Sequence, residues 1–278
     1  MKLARYEAGS GAKIGIVEGD TIQELSFDGS MIELISDWAT IAPTIDVLKT
    51  GQSYAVSDVH LLAPVARPGK IFAIGLNYAD HIEESKMETP ANQVWFTKAV
   101  TSVNGPFDPI LIAKDGPYVD YEVELVAVIG KGGKHISASE APAHIFGYCV
   151  GNDVTERFWQ HRTPQWSLGK SFDTHAPIGP WITTADEVSD PHVLDLSCSV
   201  NGEVRQKSNT QHLVFNIWEQ IEHLSAGMTL EPGDLIFTGT PGGVGAAMDP
   251  RKFLQPGDVV SCDVAGLGSI EGTMVGES

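Results

Sequence analysis

Two glutamates separated by one residue form the first pattern in the chain that could do chemistry. Glu122 and Glu124 lie in the segment Tyr121–Val128, where strand alternation would place both on one face together with Val126. The two carboxylates would then be about 7 Å apart on a face that turns apolar. Removing two like charges from water together is unfavourable unless a cation binds between them or one of them takes a proton. The alternative is that both glutamates are solvated on an exposed face.

A third acid follows where the next apolar run of the sequence ends. The run Ile145–Val150 is followed three residues later by Asp153, and an acid just beyond a strand end can complete a site. Carboxylates are hard oxygen ligands and no cysteine accompanies them, which favours Mg²⁺ or Mn²⁺ over zinc. We therefore predict a divalent-metal site formed by Glu122, Glu124 and Asp153.

A histidine and a glutamate lie one helical turn apart in the segment Asn77–Glu84. Asn77 is expected to cap the helix, and His81 and Glu84 would share one face of it. A carboxylate beside an imidazole fixes its tautomer and raises its basicity, as a general base requires. The alternative is an ordinary surface pair. The polar stretch 85–93 that follows is expected to act as a mobile lid.

Three further polar residues could belong to the same site. Lys170 stands in a stretch, Gln165–Phe172, that is otherwise free of charge. Such a lysine can serve as an electrostatic anchor or acid, or it can extend its head group to the surface. Arg157 and Gln160 follow Asp153 and lie one turn apart, so that they could line the same cavity or cap a helix.

The segment Leu235–Gly245 is a strand followed by a glycine-rich loop. Backbone N–H groups of the loop, together with Thr240, could form a nest for a carboxylate, or the loop could be a plain turn. Its glycines do not fit the dinucleotide-binding fingerprint. The sequence also lacks the motifs of serine hydrolases, zinc proteases and P-loop proteins.

The elements that must position these residues divide near residue 66. Residues 1–60 contain short strands and a helical stretch, and the segment 63–69, with two prolines and a glycine, is predicted to be a linker. We predict a small N-terminal domain over residues 1–66 and a catalytic domain over residues 67–278. The N-terminal elements are expected at Lys13–Glu18, Thr21–Leu25 and Met31–Trp38.

Beyond the linker the sequence is rich in strand patterns and contains one clear amphipathic helix, Val214–Ser225. Asn201 and Gly202 are typical of a hairpin turn. The few helices between strands argue against an alternating βαβ order, and hence against a Rossmann domain or a TIM barrel. The strands are predicted at Lys70–Ile74, Val119–Ile129, Ile145–Gly151, Leu194–Val200, Glu203–Gln206, Asp234–Thr238 and Asp258–Val264.

The composition of the chain limits its partners. The 278 residues include 18 basic and 36 acidic side chains, which gives a net charge of −18. Such a surface repels phosphate backbones and anionic lipids, so we expect neither nucleic acid nor a membrane as a partner. The N-terminal segment shows no secretory signal, and the three cysteines form neither a disulfide framework nor a zinc site. We predict a soluble, cytoplasmic protein.

Taken together, these segments resemble the fumarylacetoacetate hydrolase superfamily. The resemblance covers about residues 67–278, and the N-terminal part is similar to the small extra domain of the longer members. It implies a strand-rich α+β protein with a mixed β-roll or β-sandwich catalytic domain and a small N-terminal α/β domain. The motifs that carry the resemblance are GLNYADHIEES, FTKAVTSVNGP, VDYEVELVAVIGK, GYCVGNDVTERFWQ, QWSLGKSFDTHAPIGPW, VNGEVRQ and GDLIFTGTPGGVG.

The resemblance also implies roles for individual residues. It assigns Mg²⁺ or Mn²⁺ to the three acids, and at Leu76 the sequence departs from relatives that carry arginine, which removes one anchor for a second acidic group of the substrate. The catalytic residues that it implies are His81, Glu84 and Lys170. The substrate-binding residues that it implies are Tyr78, Arg157, Gln160, Gly239 and Thr240.

The activity implied is that of a metal-dependent hydrolase that cleaves a carbon–carbon bond in a 2,4-dioxo acid of the acylpyruvate type. The enzyme would release pyruvate in the catabolism of aromatic compounds or sugar acids, with His81 activating water and Lys170 and Gln160 stabilising the oxyanion. Two alternatives use the same site: decarboxylation or tautomerisation of oxaloacetate, and isomerisation of an unsaturated 2-oxo diacid. An alternative of another class is a non-catalytic metal- or metabolite-binding protein. A homodimer is also expected.

Overall fold

The computed structural model describes residues 1–9, 11–84 and 88–277. Strands outnumber helices among them, which confirms the predicted strand-rich α+β class. The helices are α1 (Met31–Ser36), α2 (Trp38–Ile41), α3 (Ala79–Glu84), α4 (Arg157–His161) and α5 (Ile217–Gly227). The strands are β1 (Lys2–Ala8), β2 (Gly11–Glu18), β3 (Thr21–Leu25), β4 (Lys49–Ala55), β5 (His60–Leu62), β6 (Ile71–Gly75), β7 (Val94–Thr97), β8 (Val103–Asn104), β9 (Ile110–Ile112), β10 (Val119–Asp120), β11 (Val123–Ile129), β12 (Ile145–Asn152), β13 (Thr155–Glu156), β14 (Ala176–Thr184), β15 (Asp195–Val200), β16 (Glu203–Asn209), β17 (Leu235–Phe237), β18 (Val259–Val264) and β19 (Gly268–Gly276).

Most of these strands form two sheets. The larger sheet has the order β4-β3-β2-β1-β14-β12-β11-β17-β6-β7, with β5 and β8 attached at its side. The smaller sheet has the order β16-β15-β18-β19-β9. The large sheet supplies the strands that carry or flank every predicted metal ligand. The packing of β11 therefore determines the surroundings of the site.

Both faces of β11 are buried, because apolar layers cover the large sheet on each side. Val123 and Leu125 pack in a core that includes α5 and the smaller sheet, whereas Val126 and Val128 pack in a second core with the N-terminal elements. This confirms the alternation that the sequence predicts for the strand. A strand covered on both faces leaves no solvated side, which excludes the alternative of an exposed face for Glu122 and Glu124.

The N-terminal strands continue the large sheet. β1 pairs with β14 at Lys2 with Thr183 and at Leu3 with Ile182, and the predicted linker contributes the buried side chain of Val65 to the second core. Apolar side chains from both predicted domains thus fill one core. The division near residue 66 stays a prediction about sequence organisation.

Candidate active site

The pairing of β11 with β12 brings the three predicted metal ligands together. The strands are antiparallel, with Val123 opposite Asn152, and the Asp153 N–H donates to the Glu122 carbonyl at 2.8 Å. The carboxylates of Glu122, Glu124 and Asp153 each offer an oxygen within 4.8 Å of the other two. The predicted strand Val119–Ile129 is interrupted at Tyr121 and Glu122, so that Glu122 lies just before β11 and Glu124 within it.

Three cations surround this acidic triad, defined as Glu122, Glu124 and Asp153. The Lys170 ammonium lies 2.7 Å from a Glu122 oxygen and 2.6 Å from an Asp153 oxygen. Arg157 is 2.7 Å from Glu122 and 2.8 Å from Asp120, and its guanidinium also donates to the Gln160 side chain at 3.0 Å. Buried ion pairs of this kind are stable only when each charge has partners, so the cations hold the carboxylates in place.

The third cation, Lys98, is absent from the set that the sequence predicts. Its fully buried ammonium donates to Asp153 at 2.6 Å and also to the backbone carbonyls of Lys170 and Val154. Lys98 lies in the FTKAVTSVNGP motif, but a single lysine beside a short strand gives no local signal of burial. Asp120 is also absent from the predicted set, because the neighbouring residues give no sign of its burial. Its carboxylate accepts from Arg157, Gly245 and Ala246.

The two glutamates of the triad differ in charge. Burial alone would raise the pKa of Glu122, but the Lys170 and Arg157 charges outweigh it and lower the pKa to about 2. Burial and the neighbouring Asp153 and Glu122 charges raise the pKa of Glu124 well above its usual range. Among the described groups Glu124 accepts one hydrogen bond, from the Gly239 N–H at 2.7 Å. Three crowded carboxylate groups with too little positive charge near Glu124 are a fitting donor set for a hard divalent cation.

His81 and Glu84 lie on α3 as predicted, and both line the main cavity. The His81 Nδ1 atom is 3.9 Å from a Glu84 oxygen, too long for a hydrogen bond, and it has no hydrogen-bond partner among the described residues. The Glu84 carboxylate accepts from the Gly243 N–H at 2.8 Å. Burial raises the pKa of Glu84, but His81 and Gly243 outweigh it, so the net pKa is lowered. Because both residues lie on α3, a small rotation of either side chain would complete a carboxylate–imidazole pair.

The segment around α3 also corrects one expectation, the helix cap at Asn77. Asn77 does not cap the helix: its side chain donates to the Phe215 and Thr238 carbonyls and accepts from the Phe215 N–H. Tyr78 is fully buried in the first core and is not among the residues that line the cavity. Its role in substrate binding stays a prediction. Of the expected lid over residues 85–93, residues 85–87 lie outside the described residues.

The glycine-rich loop donates backbone hydrogen bonds to two acids of the site. Gly239 donates to Glu124 and Gly243 to Glu84, so these N–H groups bind the protein's own acids where a substrate carboxylate was expected. Thr240 lines the cavity, and its hydroxyl donates to the Val123 carbonyl and accepts from Gln206. The roles of Gly239 and Thr240 in substrate binding stay predictions.

One cavity of about 430 Å³ brings most of the predicted residues together. Its buried floor includes Glu122 and Lys170, and its wall includes apolar side chains such as Leu76 and Phe96. The predicted site residues that line the cavity are His81, Glu84, Glu122, Arg157, Gln160, Lys170 and Thr240. A small polar molecule that binds the acidic triad through a cation would therefore lie within reach of an acid–base pair.

With this fold and site described, the comparisons define the class of protein. The chain belongs to the fumarylacetoacetate hydrolase family: residues 70–275 match the family described as "Fumarylacetoacetate (FAA) hydrolase C-terminal". Residues 1–64 match a family described as "Rv2993c-like, N-terminal". Both findings confirm the resemblance seen in the sequence.

The chain is also similar to individual members of this family. The chain is 47% identical over 215 residues to the mitochondrial oxaloacetate tautomerase Fahd2a of Rattus norvegicus, an alignment that covers 77% of this chain and 69% of the rat protein. It is similar over 100% of both chains to the fumarylacetoacetate hydrolase of Exiguobacterium antarcticum, with 36% identity and a TM-score of 0.89. It is also similar over 100% of both chains to the maleylpyruvate hydrolase of Sphingobium sp. SYK-6 in complex with manganese and pyruvate, with 33% identity and a TM-score of 0.86.

These comparisons correct one prediction and leave others open. The prediction of a cytoplasmic location is contradicted, because the rat relative is named as a mitochondrial protein. That prediction rested on composition and on the N-terminal residues, which do not distinguish one compartment from another. None of the helices in the described part of the chain has the length and apolar character that a membrane crossing requires. The homodimer stays a prediction.

Proposed function

We propose that the protein is a divalent-metal-dependent oxaloacetate tautomerase, which interconverts the keto and enol forms of this 2-oxo acid. The observation that carries the proposal is that an acid–base candidate, His81, lines the same cavity as Glu122 of the acidic triad. The identity of 47% with the rat oxaloacetate tautomerase supports this substrate over the acylpyruvate that the sequence predicted.

The reaction moves one proton and consumes no water. A C3–H bond breaks and its electron pair forms the C2–C3 double bond. The π pair of the C2–O double bond moves to the 2-oxo oxygen, where it forms the O–H bond. A divalent cation held by Glu122, Glu124 and Asp153 would stabilise the negative charge that develops on this oxygen. His81 would remove the C3 proton, and Glu84 would orient its imidazole, since a carboxylate partner selects the ring nitrogen that stays basic.

Lys170 and Arg157 would act through the acidic triad. Each pairs with Glu122, and Lys170 also pairs with Asp153, so both cations keep the metal ligands charged and fixed. Fixed charges in a site sealed from water cost no reorganisation when charge develops in the transition state.

Carbon–carbon hydrolysis is the second candidate, because the maleylpyruvate hydrolase covers the whole chain at 33% identity. It would require His81 to activate a water molecule against a distal carbonyl, and it would release pyruvate. Release of pyruvate therefore distinguishes a cleavage reaction from tautomerisation.

The replacement His81→Asn tests the proposed base. We expect enol–keto conversion of oxaloacetate to slow by about a hundredfold to ten-thousandfold, the range typical of a lost general base. The same variant should keep the thermal stabilisation that Mn²⁺ gives the wild type, because His81 does not belong to the acidic triad. An unchanged rate with Mn²⁺ still bound would exclude His81 as the base.

A further inference from the structure

The cations that line the main cavity differ in whether a carboxylate neutralises them. They are Arg157, Lys170 and Arg251. Arg157 and Lys170 are both engaged by buried carboxylates at 2.6–2.8 Å. Arg251 has no ion pair within 4.0 Å in the part of the chain that the structure describes. In a molecule of net charge −18, an unpaired arginine at a cavity is a local site of attraction for anions.

Arg251 lies at the outer end of the cavity. Its side chain is exposed, whereas Glu122 and Lys170 on the floor are 5% and 1% exposed. Together with His161 it also lines a second cavity of about 470 Å³ that adjoins the first. Arg251 thus shares the main cavity with Glu122 of the acidic triad and lies at its more exposed part.

The described lining of the main cavity also includes one partly exposed carboxylate, Glu84, which accepts from the Gly243 N–H, and several apolar side chains. Leu76, Val244 and Phe253 are apolar. Burial, with the charges of Arg157, Arg251 and Lys170, lowers the pKa of His161, so that this imidazole is neutral at pH 7. Among the described residues that line the main cavity, Arg251 is thus the exposed arginine, whereas Arg162 lines only the second cavity. The planar guanidinium of Arg251 suits a carboxylate through two parallel hydrogen bonds.

We propose that Arg251 is the specificity-determining residue that binds the second carboxylate of a dicarboxylic 2-oxo acid. This inference rests on the proposed function, because it takes the 2-oxo acid end of the substrate to lie at the acidic triad. Arg251 acts on binding and not on the proton transfer, which occurs at the floor.

The test compares two ligands that differ by one carboxylate. L-malate and L-lactate are both 2-hydroxy acids, and malate carries a carboxylate where lactate carries a hydrogen. Calorimetric titration of the Mn²⁺-loaded full chain should show that the wild type prefers malate. Arg251→Met should weaken malate binding by about tenfold to a hundredfold, as expected for lost hydrogen bonds to a charged group, and leave lactate binding unchanged. Arg251→Lys should restore part of the malate preference.

Lys252→Met is the matched control, because it removes the same charge from the next residue, whose ammonium is 3.5 Å from Glu203 and lines neither cavity. It should bind both ligands as the wild type does. Equal malate affinity in the wild type and Arg251→Met, including no measurable binding by either, overturns the inference. If the wild type does not tautomerise oxaloacetate yet shows the Arg251-dependent preference, the proposed function fails and this inference stands.

Discussion

At the residue scale, the site is a balanced arrangement of buried charges. Lys98, Lys170 and Arg157 are paired with Asp153, Glu122 and Asp120, whereas Glu124 has no ion pair within 4.0 Å among the described residues. Burial raises the pKa of Glu124, and a proton can neutralise it until a metal ion binds. Replacing one or the other of these two glutamates should therefore have different effects on the free energy of unfolding.

This difference predicts opposite outcomes for one chemical change. Glu122→Gln removes the partner of two buried cations and should lower the free energy of unfolding by about 3–5 kcal/mol. Glu124→Gln replaces a group whose charged form burial disfavours and should change stability by less than about 1 kcal/mol, but it should abolish the rise in Tm that we expect Mn²⁺ to give the wild type. Thermal unfolding with and without Mn²⁺ measures both effects. A metal-induced rise in Glu124→Gln equal to that of the wild type would contradict the assigned ligand.

His175 links the stability of the fold to pH. Its ring is buried and bonds the Leu111 carbonyl at 2.8 Å, and burial lowers its pKa from 6.5 to about 3. The folded state excludes a proton that the unfolded state accepts, so stability is fully present above pH 6.5 and falls progressively down to pH 3. By pH 5 the loss from this group should reach about 2 kcal/mol.

Urea unfolding at pH 7 and pH 5 checks this expectation. His175→Gln should reduce the stability difference between the two pH values by about that 2 kcal/mol, since glutamine cannot take the proton. The exposed His212→Gln serves as the control and should leave the difference unchanged. An identical pH dependence in the wild type and His175→Gln would contradict the assignment.

The sequence predicts the acidic triad and two of the cations paired with it, Arg157 and Lys170, but not Lys98. Residue type and spacing identify Glu122, Glu124 and Asp153, because carboxylates beside apolar runs need a partner. Lys98 and Asp120 could not be found in this way, since their burial results from elements distant in sequence: Lys98 reaches Asp153 across 55 positions. Arg251 could not be identified from the sequence for the same reason, because its importance depends on which cavity its loop adjoins.

At the element scale, the backbone at Gly169 packs closely against the backbone of α4, which fixes the position of this helix relative to Lys170. Gly169 precedes Lys170 and its carbonyl accepts from the Glu156 N–H at 2.8 Å. A Cβ atom on Gly169 would lie 2.3 Å from the Gln160 nitrogen and 2.7 Å from the Glu156 carbonyl oxygen. These neighbours are backbone atoms, which cannot move aside as a flexible side chain could.

Gly169→Ala should therefore displace α4 from Lys170. We expect a loss of about 1–3 kcal/mol in the free energy of unfolding, as for other overpacked positions, together with a weaker Mn²⁺-induced stabilisation. Gly227→Ala, at the end of α5, meets no atom within 4 Å and should be neutral or stabilising by up to about 1 kcal/mol. Urea unfolding of both variants gives the comparison. Equal stability of the two would show that the approach at Gly169 carries no constraint.

The sequence predicts strands and helices whose apolar residues recur at regular spacing. It does not predict a strand whose pattern is interrupted by proline. Thr21–Leu25 is a strand with the predicted bounds, and the predicted helix Val214–Ser225 is found as α5 after a shift of three residues at its start. β14 was missed although it joins β12 to β1 in the large sheet, because Pro177 and Pro180 interrupt its strand pattern.

At the scale of the whole molecule, one apolar core joins the N-terminal strands to the catalytic part. Leu3 and Ile14 pack in the same cluster as Val126 and Phe146, and the Trp38 ring lies edge-on to Phe146 at 5.1 Å. Neither part can expose its side of this core without uncovering the other. A sequence-based division into two domains does not reveal this, since the pairing of β1 with β14 spans about 180 positions.

We therefore expect the chain to unfold in a single transition. Circular dichroism and tryptophan fluorescence should give superimposable urea curves, the usual sign of cooperative unfolding. Leu3→Ala should move the whole transition, by about 2–5 kcal/mol, without splitting it. Val47→Ala, at a side chain 83% exposed, should leave it in place. Separate transitions by the two probes would contradict a shared core.

The central claim is that the acidic triad and His81 form a tautomerase site, and the decay of the oxaloacetate enol tests it most directly. The ultraviolet absorbance of the enol is followed with protein and Mn²⁺, then with EDTA, and pyruvate and carbon dioxide are assayed at the end. The account predicts metal-dependent acceleration toward the keto–enol equilibrium with no pyruvate or carbon dioxide formed by the protein. No acceleration with Mn²⁺ present, or pyruvate release that matches the loss of absorbance, would contradict it.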